Sequence, residues 1–119
     1  MKKTLILGAT DNPSRYANMA ANKLVSKGHT IINIGIKSGK SAGVEIESAG
    51  KVYNDVDTVT LYLGPQNQHQ YYDYILETKP KRIIFNPGAE NPELEELADK
   101  HGIEVIEACT LVMLSTGQF

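Results

Sequence analysis

Short apolar runs alternate with segments of helical periodicity along this chain, and that alternation restricts the fold more than any other feature. Thr4-Leu5-Ile6-Leu7 is too short for a helix and suits a strand buried on both faces. Turn residues follow, with Asn12 placed as an N-cap and Pro13 at the first helical position. Tyr16, Ala20 and Leu24, with Ala17, Ala21 and Val25, then repeat at i, i+4 as the apolar stripe of a helix, which stops at Lys27-Gly28. A second strand is expected at Thr30–Ile34 and a third at Thr58–Leu63. A helix follows from about Asn67 to Thr78, ending before Pro80. Arg82–Phe85 reads as a fourth strand, and Asn91-Pro92 opens another helix whose first turn is rich in glutamate. Ile103–Ile106 completes the set. The expectation is an α/β fold of three layers, a doubly wound, mainly parallel sheet of five strands, with residues 1–119 as a single domain.

Two stretches depart from the pattern. Residues 38–57 lack helical periodicity, and Val44-Glu45-Ile46 with Lys51-Val52-Tyr53 suggest a small hairpin around Ser48-Ala49-Gly50, or an irregular crossover. The tail from Cys109 to Phe119 is apolar at Leu111 to Leu114 and reads as a short helix or an extended segment.

Composition narrows the function classes. Twelve lysines and arginines against 14 aspartates and glutamates leave a formal charge of −2, without the basic excess that drives nucleic-acid binding. No apolar run is long enough to span a membrane or to form a signal peptide, so a cytoplasmic location is expected. The one cysteine, Cys109, excludes an internal disulfide and a thiolate zinc cluster.

In an open parallel sheet, ligands bind beyond the carboxyl ends of the strands, near the point where strand order reverses. Four such ends here carry glycine or proline: Gly8, Gly35, Gly64-Pro65 and Asn86-Pro87-Gly88. The first loop, Gly8-Ala9-Thr10-Asp11-Asn12-Pro13-Ser14-Arg15-Tyr16, opens a helix whose free N–H groups suit phosphate, and Arg15 adds a positive charge. It lacks the second and third glycines of the G-x-G-x-x-G dinucleotide fingerprint. After the second strand the chain has Gly35-Ile36-Lys37 where NAD enzymes place an acidic residue. A lysine there suits a phosphorylated ribose, which points to NADP or to coenzyme A.

These residues carry a resemblance. The loop from Gly8 to Tyr16, Lys37, Phe85-Asn86-Pro87-Gly88 and Glu107-Ala108-Cys109-Thr110 together resemble the stand-alone CoA-binding domain family. That family is Rossmann-like and similar to the CoA-binding part of the succinyl-CoA synthetase alpha chain. The resemblance implies coenzyme A across the strand ends, with pyrophosphate at the first loop and the phosphorylated ribose near Lys37. Contacts are further expected from Leu63, Gly64, Pro65, Asn86, Pro87, Gly88 and Cys109, with Gly64 and Asn86 to Gly88 as backbone walls. Members often carry Asn-Pro-Lys after the second strand; Gly35-Ile36-Lys37 keeps only the lysine.

No residue pattern identifies catalysis. His29 and His101 stand at helix ends, and His69 lies near the expected ligand edge. Ser14 lacks a G-x-S-x-G elbow, and no histidine pair has zinc spacing. Cys109 reads as a packed thiol, with a meeting with the pantetheine sulfur as the alternative. The expected function is binding of CoA or an acyl-CoA. A small NADP-dependent oxidoreductase, and a nucleotide-sensing regulatory subunit, stand as alternatives. A homodimer or a partner protein is left open.

Overall fold

The computed structural model describes residues 1–119. Its seven strands are β1 (Thr4–Leu7), β2 (Ile31–Ile34), β3 (Lys40–Ser41), β4 (Val44–Glu47), β5 (Thr58–Leu61), β6 (Arg82–Phe85) and β7 (Glu104–Glu107). They form one sheet in the order β3-β4-β2-β1-β5-β6-β7, parallel throughout except for the β3–β4 pair. The helices are α1 (Tyr16–Ser26), α2 (Tyr72–Thr78), α3 (Pro92–Lys100) and α4 (Thr110–Ser115). Strand order runs outward from β1 in both directions, so the reversal falls between β1 and β5.

Period-two alternation splits the core into two layers. Leu5, Leu7, Val59, Leu61, Ile83 and Phe85 face one side with Ile75 of α2 and with Leu94 and Ala98 of α3. Ile6, Ile31 and Ile46 face the other side with Ala17, Ala21 and Leu24 of α1 and Leu114 of α4. The strands β1, β2, β5 and β6 are buried at every residue, which is why each reads as a mostly apolar or β-branched run, broken only by Asn33 in β2 and Arg82 at the start of β6.

The expected count of five strands is corrected to seven. Lys40–Ser41 and Val44–Glu47 form a hairpin turned at Ala42-Gly43, where both φ angles are positive (56° and 78°). It lies N-terminal to the hairpin expected around Ser48-Ala49-Gly50, and Lys51-Val52-Tyr53 joins no strand. The cause is tertiary. Asn33, fully buried in β2, donates from Nδ2 to the carbonyls of Ser41 (3.0 Å) and Val44 (3.1 Å). Those bonds hold the hairpin against β2, and β4 then pairs with it in parallel.

Two helix starts also differ. Asn12 caps no helix: its Oδ1 accepts from Ser14 N (3.0 Å) and Ser14 Oγ (2.7 Å), closing a local turn, and α1 begins only at Tyr16. Tyr16 is 70% exposed, so the buried stripe of α1 is Ala17, Ala20, Ala21 and Leu24. The segment before α2 forms two 3₁₀ turns, Pro65–Asn67 and His69–Tyr71. Asn91 does cap α3, accepting from Glu93 N (3.2 Å) and Leu94 N (3.4 Å), with Pro92 in the first turn. The tail is helical as α4.

Candidate functional site

The ends of β1, β2, β5 and β6 open into one cleft of about 700 Å³. Its first wall is the loop after β1. Gly8 turns the chain with φ +98°, and its N–H and that of Ala9 both donate to the Ile34 carbonyl, at 2.9 Å each. The loop beyond is shaped by its own side chains. Thr10 Oγ1 accepts from Asn12 N (3.2 Å), and Asn18, buried on α1, donates from Nδ2 to the Thr10 carbonyl (3.0 Å) and to Ser41 Oγ (3.1 Å).

With those bonds made, the backbone N–H groups of Thr10, Asp11, Tyr16 and Ala17 have no protein acceptor, and all four residues line the cleft. The last two are the opening amides of α1, where the helix dipole favours negative charge. Arg15 and Lys37 line the same space with exposed side chains. Free amides, a helix N-terminus and two cations make this end of the cleft a place for an anion.

The cleft collects Gly8, Ala9, Thr10, Ser14, Arg15 and Tyr16 from the first loop. It adds Gly35, Ile36 and Lys37 after β2, Leu63 and Gly64 after β5, and Pro87 and Gly88 after β6. Asn12, Pro13, Pro65, Asn86 and Cys109 do not line it. Asn86 is buried and fully engaged: Nδ2 donates to Thr60 Oγ1 and the Leu61 carbonyl (2.7 Å each), and Oδ1 accepts from Thr110 N (2.9 Å). It braces β6 to β5 and α4. Cys109 is a half-buried free thiol at the start of α4. His69 lies outside the cleft, with its ring 4.9 Å from that of Tyr72.

Five lining residues are not among the sequence candidates: Asp11, Ala17, Tyr62, Tyr71 and Ala89. Asp11 sits inside the Gly8–Tyr16 loop, and Tyr62 directly precedes Leu63, so adjacency in sequence is a usable signal for both. Tyr71 and Ala89 are brought in by the 3₁₀ turns and by a tight turn in which Ala89 N donates to the Asn86 carbonyl (2.8 Å). The Tyr62 hydroxyl is buried without a hydrogen-bond partner; burial pushes its pKa up to about 12, against a smaller opposing pull from the nearby Thr110 and Thr60 hydroxyls.

Fold and site define a class: an α/β domain with a cleft at the carboxyl ends of its strands, beside the reversal of strand order, lined by unpaired backbone amides and by Arg15 and Lys37. Residues 2–115 match the family described as CoA binding domain, and the chain belongs to that family. The chain is similar over its full length, at 57% identity with a TM-score of 0.98, to a crystal structure of an uncharacterized protein, of which it covers 98%. It also resembles cell-free ID.343 from Thermus thermophilus (22% identity, TM-score 0.84, covering 99% of this chain and 90% of that one). A conserved hypothetical protein from Pyrococcus furiosus is similar too, at 25% identity and TM-score 0.81, with 94% of this chain and 98% of that chain covered. No curated protein matches.

Proposed function

We propose that this protein binds coenzyme A, free or acylated, across the carboxyl ends of β1, β2, β5 and β6, in the manner of a Rossmann-like domain. One observation carries the reading: four unpaired backbone amides (Thr10, Asp11, Tyr16 and Ala17) share a cleft with the side chains of Arg15 and Lys37. The amides and Arg15 take the pyrophosphate, and Lys37 takes the phosphate on the ribose. Two features support the fit. Gly88, with φ +91° and open space where a Cβ would stand, lets the ligand approach the backbone closely. Asp11, the acidic residue of the loop, lies toward Gly39, where a Cβ would stand 3.0 Å from its Oδ2. Membership in the CoA binding domain family favours this ligand over other phosphorylated nucleotides.

No residue is assigned a catalytic role, and the protein is read as a binding protein. NADP is the second reading, because its ribose phosphate would meet the same Lys37. Isothermal titration with CoA, dephospho-CoA, NADP and NAD separates them. The expected order is CoA tightest, with dephospho-CoA weaker for want of the ribose phosphate. NADP binding tighter than CoA would overturn the proposal in favour of an oxidoreductase.

A further inference from the structure

Gln68 is 0% exposed and does not line the cleft, yet three residues that do line it are tied to it. Its Nε2 donates to the carbonyl of Leu63 (2.8 Å) and to that of Ala89 (2.7 Å). Its backbone carbonyl accepts from Tyr71 N (2.8 Å). Its Oε1 accepts from Asn91 Nδ2 (2.9 Å), the same Asn91 that caps α3. Leu63 lies beyond β5 and Ala89 beyond β6, so one side chain fixes the distance between two neighbouring walls.

Glutamine is the residue for this task. A carboxamide carries two N–H donors and an acceptor oxygen on one rigid plane, and here both donors are spent on the two walls. A carboxylate would set oxygen against carbonyl oxygen, and an apolar side chain would leave two buried carbonyls unpaired.

The walls that Gln68 joins differ in character from the rest of the cleft. Every charged lining residue, Asp11, Arg15 and Lys37, comes from the loops after β1 and β2. The part contributed after β5 and β6 carries no ionised group and is apolar or aromatic at Tyr62, Leu63, Tyr71, Pro87 and Ala89. Coenzyme A is divided in the same way, into a phosphate-bearing adenosine half and an uncharged pantetheine arm with two amides.

We propose that Gln68 is a positioning residue that sets the width of the β5–β6 side of the cleft, and that this side receives the pantetheine arm. The inference rests on the CoA reading above. Its test compares CoA with adenosine 3′,5′-bisphosphate, which lacks the arm, by titration against the wild-type protein and Gln68→Met. Affinity for CoA should fall by about tenfold or more in the variant, while affinity for the bisphosphate stays within about twofold. Equal losses for both ligands, or no loss for either, would overturn the role of Gln68. A wild-type protein that binds neither would overturn the CoA reading instead.

Gln68→Asn keeps the carboxamide but is one methylene too short to reach both carbonyls, so it should show the same selective loss. A measurement on the wild type needs no variant to fold. The Gln68 side-chain NH₂ resonances should shift on saturation with CoA and stay in place with the bisphosphate. Resonances unmoved by CoA would overturn the proposal.

Discussion

A Cβ built on Gly35 would stand 2.4 Å from the carbonyl oxygen of Ala9, closer than any side-chain carbon can approach a backbone oxygen. The loops after β1 and β2 therefore touch backbone to backbone, and the cleft depends on that closeness because Ala9 begins the wall that presents the free amides. Gly35→Ala must push the first loop away from β2. Overpacking of this kind costs about 1–3 kcal/mol, and the displaced loop should bind CoA more weakly. Thermal denaturation and titration on the same sample check both effects. An unchanged melting temperature would mean that the two loops separate freely.

Arg15 and Lys37 should separate by ligand. Neither side chain makes a hydrogen bond or ion pair within the protein, so removal should leave the fold intact. Arg15→Ala loses charge-assisted contacts worth about 1.5–3 kcal/mol, lowering affinity for CoA and dephospho-CoA alike by at least about tenfold. Lys37→Ala should weaken CoA but leave dephospho-CoA unchanged, abolishing the preference between them. A preference that survives Lys37→Ala would place the ribose phosphate elsewhere.

How much of this was readable from residues depends on where the determining contacts lie. The strands β1, β2, β5 and β6 are legible because burial on both faces demands runs that are mostly apolar or β-branched. The hairpin is not. β3 is two residues long, β4 reads Val44-Glu45-Ile46-Glu47, and what places them is the Asn33 side chain, whose bonds reach 8 and 11 positions along the sequence. The start of α1 misleads for a local reason: Asn12 has the chemistry of a helix cap but spends it on Ser14. Glycine, proline and basic residues at the strand ends mark the cleft's loops. Tyr71 and Ala89 reach it only through the fold of two turns and the hidden bonds of Gln68, which leave no periodic trace.

The neighbouring carboxylate of Glu95 on α3, and to a lesser degree that of Glu90, raises the pKa of Glu107, at the end of β7, above the usual 4.5. A carboxyl raised in the folded state stabilises the protein while it is protonated, below about pH 4.5. That contribution is lost as pH rises through the higher folded value. At neutral pH the two carboxylates repel. Glu107→Gln should therefore raise the melting temperature at pH 7, with the gain shrinking toward pH 4 and in high salt. A gain independent of pH would show that repulsion from Glu95 is not its source.

His29 behaves in the opposite sense. Burial, followed by the positive charges of the N-terminus and Lys2, lowers its pKa below 6.5. Its neutral Nδ1 accepts the Lys2 backbone N–H at 3.0 Å, and its ring meets the edge of Phe119 with centroids 5.0 Å apart. A histidine depressed in the folded state contributes stability above its unfolded pKa and loses it as pH falls through the folded value. Melting temperature should decline on acidification below about pH 6.5, and His29→Gln should flatten that decline. A variant that follows the wild-type curve would assign the acid sensitivity to other groups.

Asn86 separates a brace from a ligand contact. Its amide joins Thr60, Leu61 and Thr110 through three buried hydrogen bonds, at the point where β6 ends beside the cleft. Asn86→Leu has a similar size but leaves the Leu61 carbonyl and the Thr110 N–H without partners. Each unsatisfied buried group costs about 1–3 kcal/mol, so the loss should be at least about 2 kcal/mol in total, visible as a lower denaturant midpoint with an unchanged slope. Binding by the fraction that remains folded should change little, because the side chain does not line the cleft. A loss of CoA affinity in folded Asn86→Leu, with stability intact, would instead make Asn86 a direct ligand contact.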